Sequence, residues 1–381
     1  MPTVSVIIPS YNHEKFVKEC IQSVLDQTYQ DFEIIITDDC STDGTVNIIE
    51  QFDDPRIQLF RHRVNRGVSI TANNCILHAS GKYIAWLSSD DAWYPDKLEK
   101  QVQYLDEHPD VGVVFGKADW IDESGNLITD PSFSYLNIYD VENRSRHEWL
   151  RYFFLSGNCL SLPSSLIRKE CFSKVGLFNP AYAKIQDLDL WIKICFKFNV
   201  TVLDQRLIRN RWINDENNAS GDTIKNRIQV RFEYKTSLEQ YLQINTSGEL
   251  LSIFPDAERY GEITNDTIPY TLGRIALDNH LDFKMLWGLE LIYRLLQDER
   301  LVEVLKTKCN FTYLDFIKLA SECDLFNLRV FDELDKKSRF IETLIQEREI
   351  LIQEIEKIKN SRSWRIIQRL RQLLARFTFK I

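Results

Sequence analysis

The sequence predicts an α/β protein: a mainly parallel sheet flanked by helices, then an α-helical domain, then a C-terminal coiled coil ending in an amphipathic helix. Three observations carry this expectation. The first 116 residues alternate short β-branched runs with longer amphipathic ones, the pattern of stacked βα units around a parallel sheet. Residues 224–335 carry helical stripes such as Ile224, Ile228 and Phe232, broken at Pro255, Asn265 and Pro269. From Ile341 a heptad seam of Ile341, Leu344, Arg348, Leu351, Ile355 and Ile358 runs along a highly charged segment with one polar intruder.

Taken in order, strands are expected at residues 4–8, 33–37, 57–60, 83–87 and 111–115, where β-branched and aromatic residues cluster between turn formers. Between them Phe16, Val17, Cys20, Ile21, Val24 and Leu25 have helical spacing, as do Val46, Ile49 and Phe52, and then Leu98, Val102 and Leu105. These stripes should cover the sheet. A strand-like run at 118–121 leads into a turn at 122–126, and residues 156–163 read as irregular polar backbone. A helix beginning at Asp187 carries Leu190, Trp191, Ile194, Cys195 and Phe198 on one side, and residues 200–203 return as a short strand. The expected domains are therefore 1–222, 223–335 and 336–381.

Composition narrows the function classes. Of 381 residues 44% are hydrophobic and 27% charged, ordinary for a folded protein, so disordered and fibrous classes are excluded. A net charge of −9 argues against nucleic acid as a partner. The eight cysteines are widely spaced, with no C-x-x-C pair or His-rich neighbourhood of a zinc site, so free thiols are expected. The N-terminus lacks a basic region leading into an apolar run, and no stretch is apolar enough to span a bilayer, so a cytoplasmic protein is expected.

The chemistry should lie in the loops that follow the strands, because ligands of an open parallel sheet bind outside its C-terminal edge. Those loops are Pro9-Ser10-Tyr11-Asn12, then Asp38-Asp39-Cys40-Ser41-Thr42-Asp43-Gly44, then Ser88-Ser89-Asp90-Asp91. No G-x-G-x-x-G follows the first strand, which argues against a dinucleotide site. Carboxylates gathered at such an edge repel a phosphate unless a divalent cation stands between them, so an anionic ligand here implies Mg²⁺ or Mn²⁺. Singly, each aspartate is equally a helix cap or turn former.

These residues resemble family 2 glycosyltransferases of the GT-A fold, the nucleotide-diphospho-sugar transferase type. Ser5-Val6-Ile7-Ile8-Pro9-Ser10-Tyr11-Asn12, the Asp38–Thr45 run, Asn65-Arg66-Gly67-Val68-Ser69 and Leu87-Ser88-Ser89-Asp90-Asp91 match in order and spacing. The likeness continues through Gly176-Leu177-Phe178 and Gln186-Asp187-Leu188-Asp189-Leu190-Trp191, covering about residues 3–220. It implies that Pro9, Tyr11 and Asp39 hold the nucleoside, that Arg66 lies near the nucleotide, that Asp90 sits by the sugar or ribose, and that Asp91 is the metal ligand. It makes Asp187 the catalytic base, at the start of a helix whose N-terminus steadies a carboxylate. The family often has Asp where this chain has Ser88, Glu where it has Gln186, and His after Arg211 where it has Trp212. With Gln186 rather than a second carboxylate beside it, Asp187 is expected to lack the raised pKa that a like charge would give.

The expected activity is inverting transfer of a sugar from a nucleotide-diphosphate sugar, UDP-linked, to a hydroxyl of a glycan or lipid-linked acceptor. A catalytically silent scaffold, suggested by Ser88 and Gln186, and a nucleotidyltransferase are the other classes; the latter lacks its glycine-rich basic loop. The coiled coil would support a homo-oligomer. In residues 359–381, Lys359, Arg362, Arg365, Arg369, Arg371, Arg376 and Lys380 occur without an acid, around a stripe of Trp364, Ile367, Leu370, Leu374, Phe377 and Ile381. That stripe fits either packing on the helices or coiled coil, or peripheral contact with an anionic membrane surface at its inner face.

Overall fold

The computed structural model describes residues 1–213, 223–326 and 328–377, so the expectations for residues 214–222 and for Lys380 and Ile381 lie outside it. The chain opens as β1 (Val4–Ser10), α1 (Val17–Leu25), β2 (Phe32–Asp38), α2 (Thr45–Ile49), β3 (Ile57–Arg61), α3 (Val68–His78) and β4 (Tyr83–Trp86). It continues with β5 (Ala92–Trp93), α4 (Lys97–Glu107), β6 (Val111–Ile121), α5 (Arg146–Leu155), β7 (Leu166–Arg168), α6 (Lys169–Val175), α7 (Gln186–Cys195) and β8 (Asn199–Arg211). Helices follow: α8 (Ile224–Ser237), α9 (Ser247–Ile253), α10 (Ile268–Leu277), α11 (Asp282–Leu295), α12 (Glu299–Cys309), α13 (Tyr313–Glu322), α14 (Leu328–Asn360) and α15 (Arg362–Phe377).

The strands form one sheet in the order β3-β2-β1-β4-β7-β6-β8-β5. From β3 to β4 the pairing is parallel, with Ser10 opposite Asp38 and Ile7 opposite Trp86. β7 runs antiparallel to both β4 and β6, β6 and β8 are parallel, and β5 is antiparallel to β8. The sheet is therefore mixed beyond β4. Strands β5 and β7 had no sequence expectation, because two- and three-residue strands are too short to show alternation. The chain winds outward from β1 in both directions, so the switch point falls between β1 and β4, whose C-terminal ends carry Pro9–Asn12 and Ser88–Asp91.

The β-branched runs explain the layering. Val4, Val6, Ile8, Ile34 and Ile36 bury one sheet face under Val17, Ile21 and Val24 of α1 and Leu98, Val102 and Leu105 of α4. The alternate residues meet α3 on the other face, because side chains of a strand point to opposite sides in turn. All eight cysteines are free thiols, as expected. Among the described residues no helix is long and apolar enough to cross a membrane.

The helices after residue 223 do not separate where the sequence placed a border. The chain divides into two compact units, Met1–Phe316 and Ile317–Ile381, rather than at 222 and 335. Aromatic packing is the reason: Phe154 of α5, fully buried, lies edge-on to Tyr241 at 4.8 Å, to Phe254 at 5.1 Å and to Trp287 at 6.0 Å. Tyr241 also donates from its hydroxyl to the Leu150 carbonyl at 2.7 Å, and Lys284 Nζ to the Leu155 carbonyl at 2.8 Å. In the second unit α14 is a continuous helix, and its seam residues Ile341, Leu344, Leu351, Ile355 and Ile358 are all exposed.

Since one aromatic cluster serves both the α/β part and the helices after it, Phe154→Ala should destabilise the first unit by about 3–5 kcal/mol. Urea denaturation followed by far-UV CD and by tryptophan fluorescence should give one coincident transition, shifted to lower urea in the variant.

Candidate active site

The loops after β1 and β2 lock together before they meet any ligand. Asn12 and Cys40 take left-handed backbone conformations, φ 53° and 67°, turning each loop sharply as it leaves its strand. The Asn12 N–H donates to Ser41 Oγ at 2.9 Å, and Asn12 Oδ1 accepts from the Thr42 N–H at 2.8 Å. The His13 N–H donates to Thr45 Oγ1 at 2.8 Å, and Glu14 and Asp43 exchange further bonds with the opposite loop's backbone. Asp38 accepts from the Ser41 N–H and hydroxyl, and Asp43 from Thr45, so these two act as turn formers.

Asp39 is buried and faces a different neighbour. Its Oδ1 accepts from the Arg66 N–H at 2.7 Å and lies 3.0 Å from His62 Nδ1, and its Oδ2 accepts from the Gly67 N–H at 2.8 Å. Gly67 has φ 86°, which a side chain would strain, and that turn presents both N–H groups to one carboxylate ahead of α3. Arg66 thus contributes its backbone here; its side chain is exposed and does not line the cavity described below.

Asp90 and Asp91 follow β4. The Asp91 N–H donates to the Ser88 carbonyl at 3.0 Å, and Asp91 Oδ1 accepts from the Arg211 N–H at 2.8 Å. Arg211, at the end of β8, is itself buried: Nε donates to the Asp90 carbonyl and Nη1 to the Asp122 carbonyl, each at 2.8 Å, while Nη2 pairs with Glu19 of α1. Its guanidinium also lies 4.8 Å from the Phe16 ring centroid. Burial, with Asp90 beside it, pushes the Asp91 carboxyl well above the usual carboxylate range, although Arg211 and the Ser88 hydroxyl pull the other way. Among the described residues no group of three or more His, Cys, Asp and Glu side chains is placed to hold a metal ion. The excess negative charge on this pair nevertheless fits a divalent cation, which would relieve it.

Asp187 occupies the first turn of α7. Its Oδ1 accepts from the Leu188 N–H at 2.8 Å and its Oδ2 from Asn158 Nδ2 at 2.7 Å. Burial pushes its pKa up to about 6 against these donors. The absence of a second carboxylate at Gln186 therefore did not leave it unperturbed, because desolvation, invisible in sequence, does the work. Asp189 is fully buried and paired with Lys193, an orienting role for the helix.

Pro9, Tyr11, Asp39, Asp90, Asp91 and Asp187 all line one cavity of about 1600 Å³. Sequence reasoning missed several of its other residues. Trp120, Tyr135, Tyr139 and Trp212 form an aromatic wall, Trp120 stacking on Tyr139 at 5.7 Å and Tyr135 meeting Trp212 at 5.0 Å. Tyr139 lies close enough to Asp187 and Asp91 that both, after burial, raise its pKa. Ser10, Gln186 and Asn210 belong to the lining of the same cavity, and Ser10 Oγ, Gln186 Oε1 and Asn210 Oδ1 are buried without a hydrogen-bond partner among the described residues. Such atoms call for ligand or solvent partners.

The largest omission is Glu233 of α8, which is buried. Its carboxylate accepts from the backbone N–H groups of Ala183 at 3.1 Å, Lys184 at 2.9 Å and Ile185 at 3.1 Å, and from Gln229 Nε2 at 2.8 Å. It clamps the turn leading into Asp187. Nothing in the sequence signals a bond across some fifty residues to three main-chain donors.

The family model of glycosyl transferase family 2 matches residues 5–173. The putative teichuronic acid biosynthesis glycosyltransferase TuaG of Bacillus subtilis is 45% identical over 108 residues, 28% of this chain and 43% of that protein. An uncharacterized glycosyltransferase of Rickettsia felis is 34% identical over 219 residues, 56% of this chain and 35% of that one. An uncharacterized glycosyltransferase of Methanocaldococcus jannaschii is 30% identical over 224 residues, 58% of this chain and 74% of that one. The chain belongs to glycosyl transferase family 2, and it spans less than half the length of the first two of these relatives. Among solved structures, TarS 1–349 of S. aureus in complex with UDP-GlcNAc aligns over 76% of this chain and 86% of that one, with TM-score 0.49 and 19% identity.

The raised pKa of Asp187 has a consequence for stability. A carboxyl that binds its proton more tightly in the folded chain than in the unfolded one loses stability as pH rises from about 4 to about 6, and the deficit persists above. Asp187→Asn should therefore be the more stable protein near pH 7.5, by roughly 1–3 kcal/mol, with the advantage vanishing near pH 4. Urea titrations of both proteins at the two pH values check this.

Proposed function

We propose that the protein transfers a sugar from a nucleotide-diphosphate sugar, UDP-linked, to a hydroxyl of a glycan or lipid-linked acceptor, with inversion at the anomeric carbon. The observation that carries this reading is one cavity lined by the strand-end carboxylates Asp39, Asp90 and Asp91 and by Asp187, a carboxyl with a pKa of about 6. A base of that strength is ionised at neutral pH yet basic enough to share a proton with an attacking hydroxyl. Family membership supports the reading, and the name of the Bacillus subtilis relative supports a glycan-building role.

In this proposal Pro9 and Tyr11 flank the nucleoside, and Asp39, stiffened by the Arg66 and Gly67 N–H groups, accepts from the base. Arg66 helps through that backbone contact. Asp91 would hold Mg²⁺ or Mn²⁺, with Asp90 nearer the sugar or ribose; such a cation would supply charge neutralisation for the departing diphosphate. Asp187, oriented by Asn158 and the Leu188 N–H, takes the acceptor proton as the oxygen attacks the anomeric carbon. The single displacement inverts that centre and needs no covalent enzyme intermediate. The aromatic wall of Trp120, Tyr135, Tyr139 and Trp212 offers flat apolar faces beside the base, suited to a sugar ring of the acceptor. The exposed seam of α14 is assigned to a second copy of the chain, giving a homo-oligomer through the coiled coil.

With a panel of UDP-sugars, Asp187→Asn should keep donor binding and lower transfer about 10²–10⁴-fold, while the parent's kcat/KM falls as pH drops through about 6. Near-normal turnover in the variant would remove Asp187 from the mechanism. Asp91→Ala should lose the Mn²⁺-dependent part of UDP affinity in calorimetry with and without the metal. Equal, metal-independent binding by both proteins would overturn the cation assignment.

A further inference from the structure

The last helix has no part in the cavity chemistry, and its construction points to a separate role. Ser361 ends α14 and starts α15: its N–H donates to the Ile358 carbonyl at 3.0 Å, and its Oγ accepts from the Trp364 N–H at 3.2 Å, an N-cap. The break matters for register. Continued past Ile358, the heptad seam of α14 would place Arg362, Arg365, Arg369 and Gln372 at its core positions, so α15 cannot prolong the coiled coil.

What α15 does present is a different face. At about 100° per residue, Ile366, Ile367, Leu370, Leu373 and Leu374 fall within one arc of about 120°. All five are exposed, between 46% and 67%. Trp364, expected from the sequence to share the stripe, lies about 60° beyond its edge, where it is half-buried. Arg362 and Arg369 border one side of the arc and Arg371 the other, with Arg365 behind. The segment 361–377 holds no acid at all, whereas α14 mixes acids and bases nearly evenly.

We propose that α15 is an interfacial anchor that lies on an anionic lipid surface, its leucine and isoleucine arc in the acyl boundary and its arginines on lipid phosphates. Charge decides between the occupants of the apolar face. A second copy of α15 would bring like charges together, whereas an anionic bilayer satisfies the arc and its arginine border at once. This assignment is independent of the proposed transfer reaction; if both hold, the anchor keeps the enzyme beside a membrane-borne acceptor.

Flotation of the full chain with vesicles tests it. The parent should float with vesicles of phosphatidylglycerol and phosphatidylcholine in equal parts, stay behind with phosphatidylcholine alone, and lose recovery as salt rises. Replacing Arg362, Arg365, Arg369 and Arg371 by Gln should lower partitioning roughly 10²–10³-fold, at about fivefold per cation. The paired change Leu370→Ser and Leu373→Ser should abolish flotation while the thermal transition of the sheet unit stays where the parent has it. Equal recovery of the parent from both vesicle types would overturn the proposal. So would an arginine variant that floats like the parent, or a serine variant that floats normally but sediments as a smaller species, which would assign the face to a second copy.

Discussion

Two adjacent carboxylates lining one cavity, Asp90 and Asp91, are the constraint around which the rest of this edge is built. Charge taken out of water is costly unless something of opposite sign or a good donor meets it. Arg211 is the protein's own answer. It arrives from the far end of β8, gives its N–H to Asp91, and spreads its guanidinium over the carbonyls of Asp90 and Asp122, the Glu19 carboxylate and the Phe16 ring. One buried side chain thereby joins α1, the loop after β4 and the end of β8. The compensation is incomplete: burial beside Asp90 still holds the Asp91 carboxyl well above the usual carboxylate range, and the cation proposed above would offset the remainder.

The helices beyond the sheet belong to the same machinery. Glu233 of α8 grips three successive N–H groups just before α7, and α8 is in turn held to α5 by the Tyr234 hydroxyl on the Phe153 carbonyl. Asn158, from the irregular stretch after α5, holds the other side of Asp187. The position of Asp187 therefore depends on residues from both sides of residue 222. Burial raises the pKa of Asp187, and the Asn158 and Leu188 bonds that hold the carboxylate pull it partly back down.

Charge is sorted along the chain in a complementary way. The cavity edge concentrates aspartates, the long α14 alternates signs, and the last helix is purely cationic over the stretch that carries its apolar arc. An edge that gathers negative charge and a tail that carries none are separate devices. The Ser361 break keeps the second out of the register of the coiled-coil seam.

The sequence by itself determined the periodic elements and the strand-end loops. Hydrophobic alternation marked β1, β2, β3, β4 and β6, helical stripes marked α1, α4 and α7, and the loops carrying Tyr11, Asp39, Asp90 and Asp91 could be placed at one edge because parallel strands end together. Local chemistry is enough for that, since burial on one face forces the pattern. Tertiary structure alone decided the rest. The short antiparallel β7 and β5 lack a period, Arg66 meets the site through its backbone, Asp38 is occupied by Ser41, and Asp187 owes its pKa to burial. Glu233, Asn158 and the Trp120–Tyr139 stack meet their partners across long separations in the chain. No pattern of near neighbours encodes which distant main-chain N–H a carboxylate will find, or how much water the folded chain leaves around it.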